Sequence, residues 1–241
     1  MNANVLKFIA CVSMLIDHAG LLLFPSQIWM RYVGRLAMPI FGFFIAEGAR
    51  YTKSRTRYFL RTFLLGTACQ IVYAAEEIQS GGIRSVYLNI LFTLSFAMLI
   101  CFSYIDFEKS LKNPDKSKAI TKFVVFAATV MTVLAFDIFC TYSKGIIGVS
   151  VYFDYGFAGA ILPLFALLCK ERKKQTFCFG IGLVFFALLL QSALSYIWFA
   201  LLSIPILLCY NGERGSKKFK YAFYIFYPLH LGVLYLIDIF L

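Results

Sequence analysis

The chain has 241 residues, 61% of them hydrophobic and 15% charged, with a formal net charge of +11 and a mean hydropathy of +0.79. A soluble domain carries about a quarter charged residues, so this composition leaves no room for one. The excess positive charge then belongs to cytoplasmic loops rather than to a nucleic-acid surface, and no nucleic-acid partner is expected.

A bilayer core takes roughly 20 apolar residues per helix, and runs near that length recur from end to end. Span one is expected at 5–24. It has Lys7 near its start and no small-residue cleavage site behind it, so it reads as a retained helix rather than a signal peptide. Lys7 and His18 are eleven residues apart, close to three whole turns, and so share a face about 16 Å along the axis. A basic group at the entrance and a base deep inside suit a polar tunnel. Span two, 28–49, carries Arg31 and Arg35 four residues apart on one face. An arginine does not deprotonate in a membrane, so Arg35 needs an anionic partner, for which Asp17 and Asp154 are candidates. Glu47 and Arg50 are spaced for a local pair.

Span three is expected at 57–75, span four at 86–105, opening near Asn89, and span five at 119–138, closing on Asp137. Span six, 146–169, holds Asp154 and is preceded by an irregular or re-entrant piece over 144–153. Spans seven and eight, 176–191 and 195–209, are short and also read as one bent element. Span nine, 219–240, contains Pro228 and, just past it, His230. A proline inside a helix removes a backbone hydrogen bond and bends it. No internal repeat is evident.

The connections alternate in charge. Arg50, Lys53, Arg55 and Arg57 follow span two. Lys109, Lys112, Lys116 and Lys118 follow span four, Lys170, Arg172, Lys173 and Lys174 span six, and Arg214, Lys217, Lys218 and Lys220 span eight. The intervening connections at 25–27, 76–85, 139–145 and 192–194 hold at most Arg84 or Lys144. Such alternation is the positive-inside pattern. The expected fold is an all-α, polytopic transmembrane bundle of about nine spans forming a single integral membrane domain over 1–241, with the N-terminus cytoplasmic and the C-terminus outside. The seven cysteines lack CxxC spacing and read as reduced, buried small hydrophobes. Nothing has metal-ligand, GxSxG, P-loop or Rossmann spacing, so no metal is expected.

Several ordered motifs resemble the TraX family, named for a conjugative-pilus acetylation protein and including fimbrial-assembly relatives. They are Leu15-Ile16-Asp17-His18, Gly34-Arg35 with Pro39-Ile40-Phe41, and Ala46-Glu47-Gly48 with Arg50-Tyr51-Thr52. Asn89-Ile90-Leu91-Phe92-Thr93 and Phe153-Asp154-Tyr155-Gly156 continue the series. Tyr210-Asn211-Gly212-Glu213-Arg214-Gly215 and Tyr224-Ile225-Phe226-Tyr227-Pro228-Leu229-His230 complete it. Membrane acyltransferases of the AT3 type are more distantly similar: a basic residue, ten intervening positions and then a histidine in the first span match Lys7 and His18, with lysine in place of the usual arginine.

The resemblance implies a membrane-embedded acyltransferase of the bacterial inner membrane, moving acetyl from acetyl-CoA (or another acyl-CoA) to a pilin-like protein, another envelope protein or a glycan. In that reading His18 is the general base. Asp17, about 100° away on the helix, pairs with Arg35. Asn89 or Asp154 orients His18, Arg35 stabilises the oxyanion, and His230 is a second acid or base. Lys7 and the cluster Arg50, Lys53, Arg55, Arg57 and Arg61 suit coenzyme A phosphates. The alternatives are a small transporter or flippase, and a pilus assembly factor in which buried charges only lock helices together.

Overall fold

The computed structural model describes residues 1–79, 85–191 and 196–240; Arg84, the 192–194 connection and the start of the eighth expected span lie outside them. The described chain is mostly helical and falls into two compact units, Met1–Phe44 with Leu168–Leu241, and Ile45–Leu167.

The first unit opens with α1 (Ala3–Leu22), capped by Asn2, whose side chain accepts from the Val5 N–H. Span two is not one helix. It is α2 (Ile28–Gly34) and α3 (Ala37–Tyr51), broken at Arg35 and Leu36. Pro39 supplies the cause. It has no N–H to offer the Arg35 carbonyl, and the chain tightens there into turns, with Arg35 N–H donating to Tyr32 O and Leu36 N–H to Val33 O. The unit resumes with α8 (Arg172–Leu190), a 3-10 turn (Ile197–Leu202) running into α9 (Ser203–Leu208), a short 3-10 turn at Lys217–Lys220, and α10 (Ala222–Phe240). Its core includes Phe43, edge-on to Phe179 at 5.4 Å and to Tyr210 at 6.1 Å.

The second unit holds α4 (Arg55–Gln79), β1 (Ser85–Leu88), α5 (Ile90–Ser110), α6 (Lys116–Ile147), β2 (Ser150–Phe153) and α7 (Gly156–Leu167). The strands are unexpected in a chain read as all-α. They pair in parallel, Ser85 opposite Ser150 through Leu88 opposite Phe153. The tetrapeptides Ser-Val-Tyr-Leu and Ser-Val-Tyr-Phe are near copies, a short repeat that a search for longer ones misses. Each strand leads directly into a helix, so α5 and α7 run parallel and pack on one another. Around them Ile100, Val133, Cys140, Phe153 and Ala160 form the core, lined by Phe96 and Phe136. The irregular piece expected at 144–153 is shorter than read: α6 continues to Ile147, Gly148 ends it with a left-handed φ of 74°, and only 148–149 and the strand are non-helical.

Among the described residues, five helical stretches are long and apolar enough to cross a membrane: α1, α2 with α3 (Ile28–Tyr51), α5, α6 and α8. Apolar but shorter are α7, the Ile197–Leu208 stretch and Ala222–Asp238 of α10. Helix α4, which carries Arg55, Arg57 and Arg61, is not among the five. These helices make the chain a membrane protein with a lipid bilayer as its environment.

Candidate functional site

In the first unit α1 packs on α2 through small residues. A side chain at Gly34 would collide with the Asp17 carboxylate, and one at Gly20 would meet Met30 Cβ at 2.7 Å. The missing Cβ at Gly34 is what lets the Asp17 carboxylate reach the arginines. Arg35 Nη2 donates to both carboxylate oxygens at 2.9 Å. Its Nε donates to Arg31 O at 3.2 Å, and its guanidinium carbon lies 5.3 Å from the Tyr196 ring centre. Arg31 Nη1 donates to the Asp17 backbone carbonyl at 2.9 Å and lies 3.0 Å from Oδ1. Asp17 and Arg35 are buried, and the pairing expected of them is present.

On the next residue of α1, His18 Nδ1 lies 2.7 Å from His230 Nε2, with the two ring planes within 9° of parallel. The pairing joins residues 212 positions apart. His230 Nδ1 in turn lies 2.8 Å from the Phe226 carbonyl, one turn earlier on α10. A carbonyl only accepts, so His230 carries its proton on Nδ1 and its neutral Nε2 is an acceptor. His18 Nδ1 must then donate, which leaves the lone pair of neutral His18 on Nε2. His230 is buried and His18 half-buried. The chain Phe226 O, His230, His18 therefore aims one unprotonated imidazole nitrogen away from α10.

Lys7 lies on the same side of α1. Its Nζ is 5.1 Å from the Phe44 ring centre and 5.8 Å from that of Phe223. Phe223 and His230 are two turns apart on α10, so Lys7 and His18 both face that helix, which runs parallel to α1. The start of α1 is tied to the segment before α10: Ala3 N–H donates to Glu213 O, Asn211 N–H to Met1 O, and Asn4 Nδ2 to Ser216 O at 2.8 Å. Gly212 and Gly215 turn that segment with φ of 83° and 78°. A side chain at Gly212 would collide with the Arg172 guanidinium, which lies over the Tyr210 ring.

The other expected site residues belong to the second unit. Asn89 caps α5, accepting from Leu91 N–H at 3.1 Å, while its amide donates to Gly66 O at 2.9 Å and Gln70 Oε1 at 3.3 Å. The Asp154 carbonyl accepts from Thr93 Oγ1, tying β2 to α5. Asp137, expected to end a span, sits mid-helix, with its carboxylate beside Gly156 at the start of α7. A Cβ at Gly156 would meet that carboxylate at 2.6 Å. A carboxylate there offsets the positive helix end. In the basic cluster, Arg50 Nη2 caps α7 through Leu167 O at 2.9 Å, and Arg55 pairs with Asp106 at 2.7 Å. Lys53 and Arg57 are exposed.

A family model described as TraX protein matches residues 2–238. The chain belongs to the TraX protein family. The chain is similar to a probable fimbrial assembly protein FimC (serogroup H1) of Dichelobacter nodosus, 29% identical over 255 aligned residues, covering 97% of this chain and 94% of the relative's own. An uncharacterized protein of Rickettsia prowazekii is 35% identical over 86 residues, 36% of this chain and 34% of its own. No solved structure matches.

Three contacts of the site were not legible in the sequence. Gly34 belongs to a family motif, but its close approach to Asp17 is legible only once α1 and α2 are packed. Tyr196 gave no signal. Arg31 was readable as sharing a face with Arg35, but not as a second partner of Asp17.

Proposed function

We propose that this TraX family member is a membrane-embedded acyltransferase that moves an acetyl or other acyl group from coenzyme A to an amine or hydroxyl of an envelope protein, pilin-like protein or glycan. The observation that carries the proposal is the His18–His230 pair, because its hydrogen-bond order leaves a base at His18 Nε2. In the reaction the acceptor attacks the thioester carbon as Nε2 takes its proton. The positive charge formed on His18 is shared through Nδ1–H to His230, whose Nδ1–H rests on Phe226 O. When the tetrahedral intermediate collapses, the C–S bond breaks and the departing thiolate takes the proton from Nε2. Arg35, held by Asp17, supplies positive potential for the oxyanion.

Donor binding is assigned to Lys53 and Arg57, the exposed members of the basic cluster. Arg50 and Arg55 have structural duties within their own unit. The topology proposed is nine crossings with the N-terminus in the cytoplasm of a bacterial inner-membrane protein. The parallel pairing of α1 with α10, and of α5 with α7, is what an odd-numbered pair and an even-numbered pair of crossings require. The bonds between the N-terminus and 211–216 also put two expected cytoplasmic segments at one end.

The name of the Dichelobacter relative supports a role in fimbrial or pilus assembly, and favours a second reading. There the Asp17 trio only fastens α1 to α2 and no acyl group moves. The test is turnover by purified protein with acetyl-CoA and an envelope extract, followed by intact mass. An acetyl increment lost in His18→Ala supports the enzyme. Its absence in the wild type, with donor and extract both intact, leaves the assembly reading.

A further inference from the structure

Asp17 carries one negative charge and meets two guanidinium groups, so the trio keeps a net positive charge. Arg35 takes both carboxylate oxygens. Arg31 reaches the same carboxylate only through Nη1, and its Nη2 and Nε have no hydrogen-bond partner among the described residues. It stands in the last turn of the short helix α2, and an arginine near a membrane surface ordinarily extends to the headgroups. Instead it turns inward, with its side chain 21% exposed, and binds the carbonyl of the peptide that joins Asp17 to His18. A charge held inside without its own counter-ion is costly, and its open edge has the fork that grips a carboxylate or phosphate with two hydrogen bonds.

We propose that Arg31 is the anchor for an anionic group, carboxylate or phosphate, on the acyl acceptor, and that acceptors bearing such a group beside the reacting amine or hydroxyl are the substrate class of this site. The word acceptor rests on the acyltransferase reading; the anion site does not. The anchor lies one residue from the base, so an acceptor held there presents its nucleophile to the same end of α1.

The experiment is calorimetry on the full-length protein in neutral detergent with four probes: inorganic phosphate, acetate, short-chain phosphatidylglycerol, and dioctanoylglycerol as a neutral control. The wild type binds at least one anionic probe more tightly than the control. Arg31→Gln weakens that binding by about tenfold or more, as loss of a charged hydrogen bond implies. Arg31→Lys, which keeps the charge but not the fork, weakens it several-fold and serves if the glutamine variant does not fold. His18→Ala loses turnover and keeps anion binding, which separates the failure of one reading from that of the other. Binding of phosphatidylglycerol alone supports a lipid source of the anion. Binding of phosphate or acetate as well supports a small free group. No anion binding by the wild type, or unchanged affinity in the Arg31 variants, overturns the proposal.

Discussion

Replacing Asp17 by alanine leaves Arg31 and Arg35 facing each other with their shared carboxylate gone. Arg35 is only 4% exposed and has a guanidinium that cannot shed its proton. Removing one partner of a buried ion pair costs about 3–5 kcal/mol. At this chain length each kcal/mol moves the midpoint by roughly 2–4 °C, so Asp17→Ala should lower Tm by about 6–20 °C. The assay is thermal unfolding in one detergent at fixed salt, run as a cycle with Arg35→Met. In the Arg35→Met background only Arg31 is stranded, and it is nearer the surface, so the same Asp17→Ala change should cost less than half as much. A drop below about 1 kcal/mol in the wild-type background, the range of an exposed pair, would refute the burial argument. Equal costs in both backgrounds would refute the pairing.

The remaining predictions use the same geometry. Gly34→Ala should mimic Asp17→Ala in Tm, because the new Cβ takes the place of the carboxylate; an unchanged Tm would show that α1 and α2 can separate without penalty. His18→Ala and His230→Ala should each lower kcat in acyl transfer, the first by about 10²–10⁴-fold and the second by less, since it removes the orienter and leaves Nε2. Near-full turnover of purified His18→Ala ends the assignment of the base. Arg57→Glu should raise KM for acyl-CoA more than it lowers kcat, whereas Arg55→Glu should mainly lose stability, because it sets a carboxylate against Asp106. Calorimetric acyl-CoA affinities that match the wild type in Arg57→Glu would remove that residue from donor binding. Single cysteines placed at 170–175 and 211–216 in a cysteine-free background should label only from the cytoplasmic side; labelling from outside contradicts nine crossings.

Much of this architecture was legible because helices in a bilayer must be long and apolar. Among the described residues most of each expected span is helical, although β1 and β2 overlap spans four and six, and the Asp17–Arg35 pair follows from an arginine's need for a counter-ion. What escaped were places where one residue's chemistry depends on a distant backbone. The break in span two follows from Pro39 denying Arg35 O a donor, a signal present in the sequence but masked by an unbroken apolar run. Asn89 read as a polar group inside a membrane, although an asparagine before an apolar run is also an N-cap signature. Asp137 read as a helix end, while its task is at the start of α7. The histidines were noted as two deep groups, but which nitrogen meets which depends on α1 and α10 lying side by side. The basic cluster was legible as charge alone, and its division into capping, paired and exposed members needed the fold.

The dyad joins residue 18 to residue 230, and so sets an order of events during synthesis. At about 5–20 residues per second, His18 enters the bilayer roughly 10–40 seconds before its partner has been made. Through that interval the base has no orienter, and α1 lacks the helix that covers its Lys7 face. In the proposed reaction full reactivity therefore arrives with the last helix, and a chain cut short between α3 and α10 carries the Asp17 trio but a base without its orienter. The closing contact doubles as a mark of completion: in unfinished copies His18 has no His230 to meet.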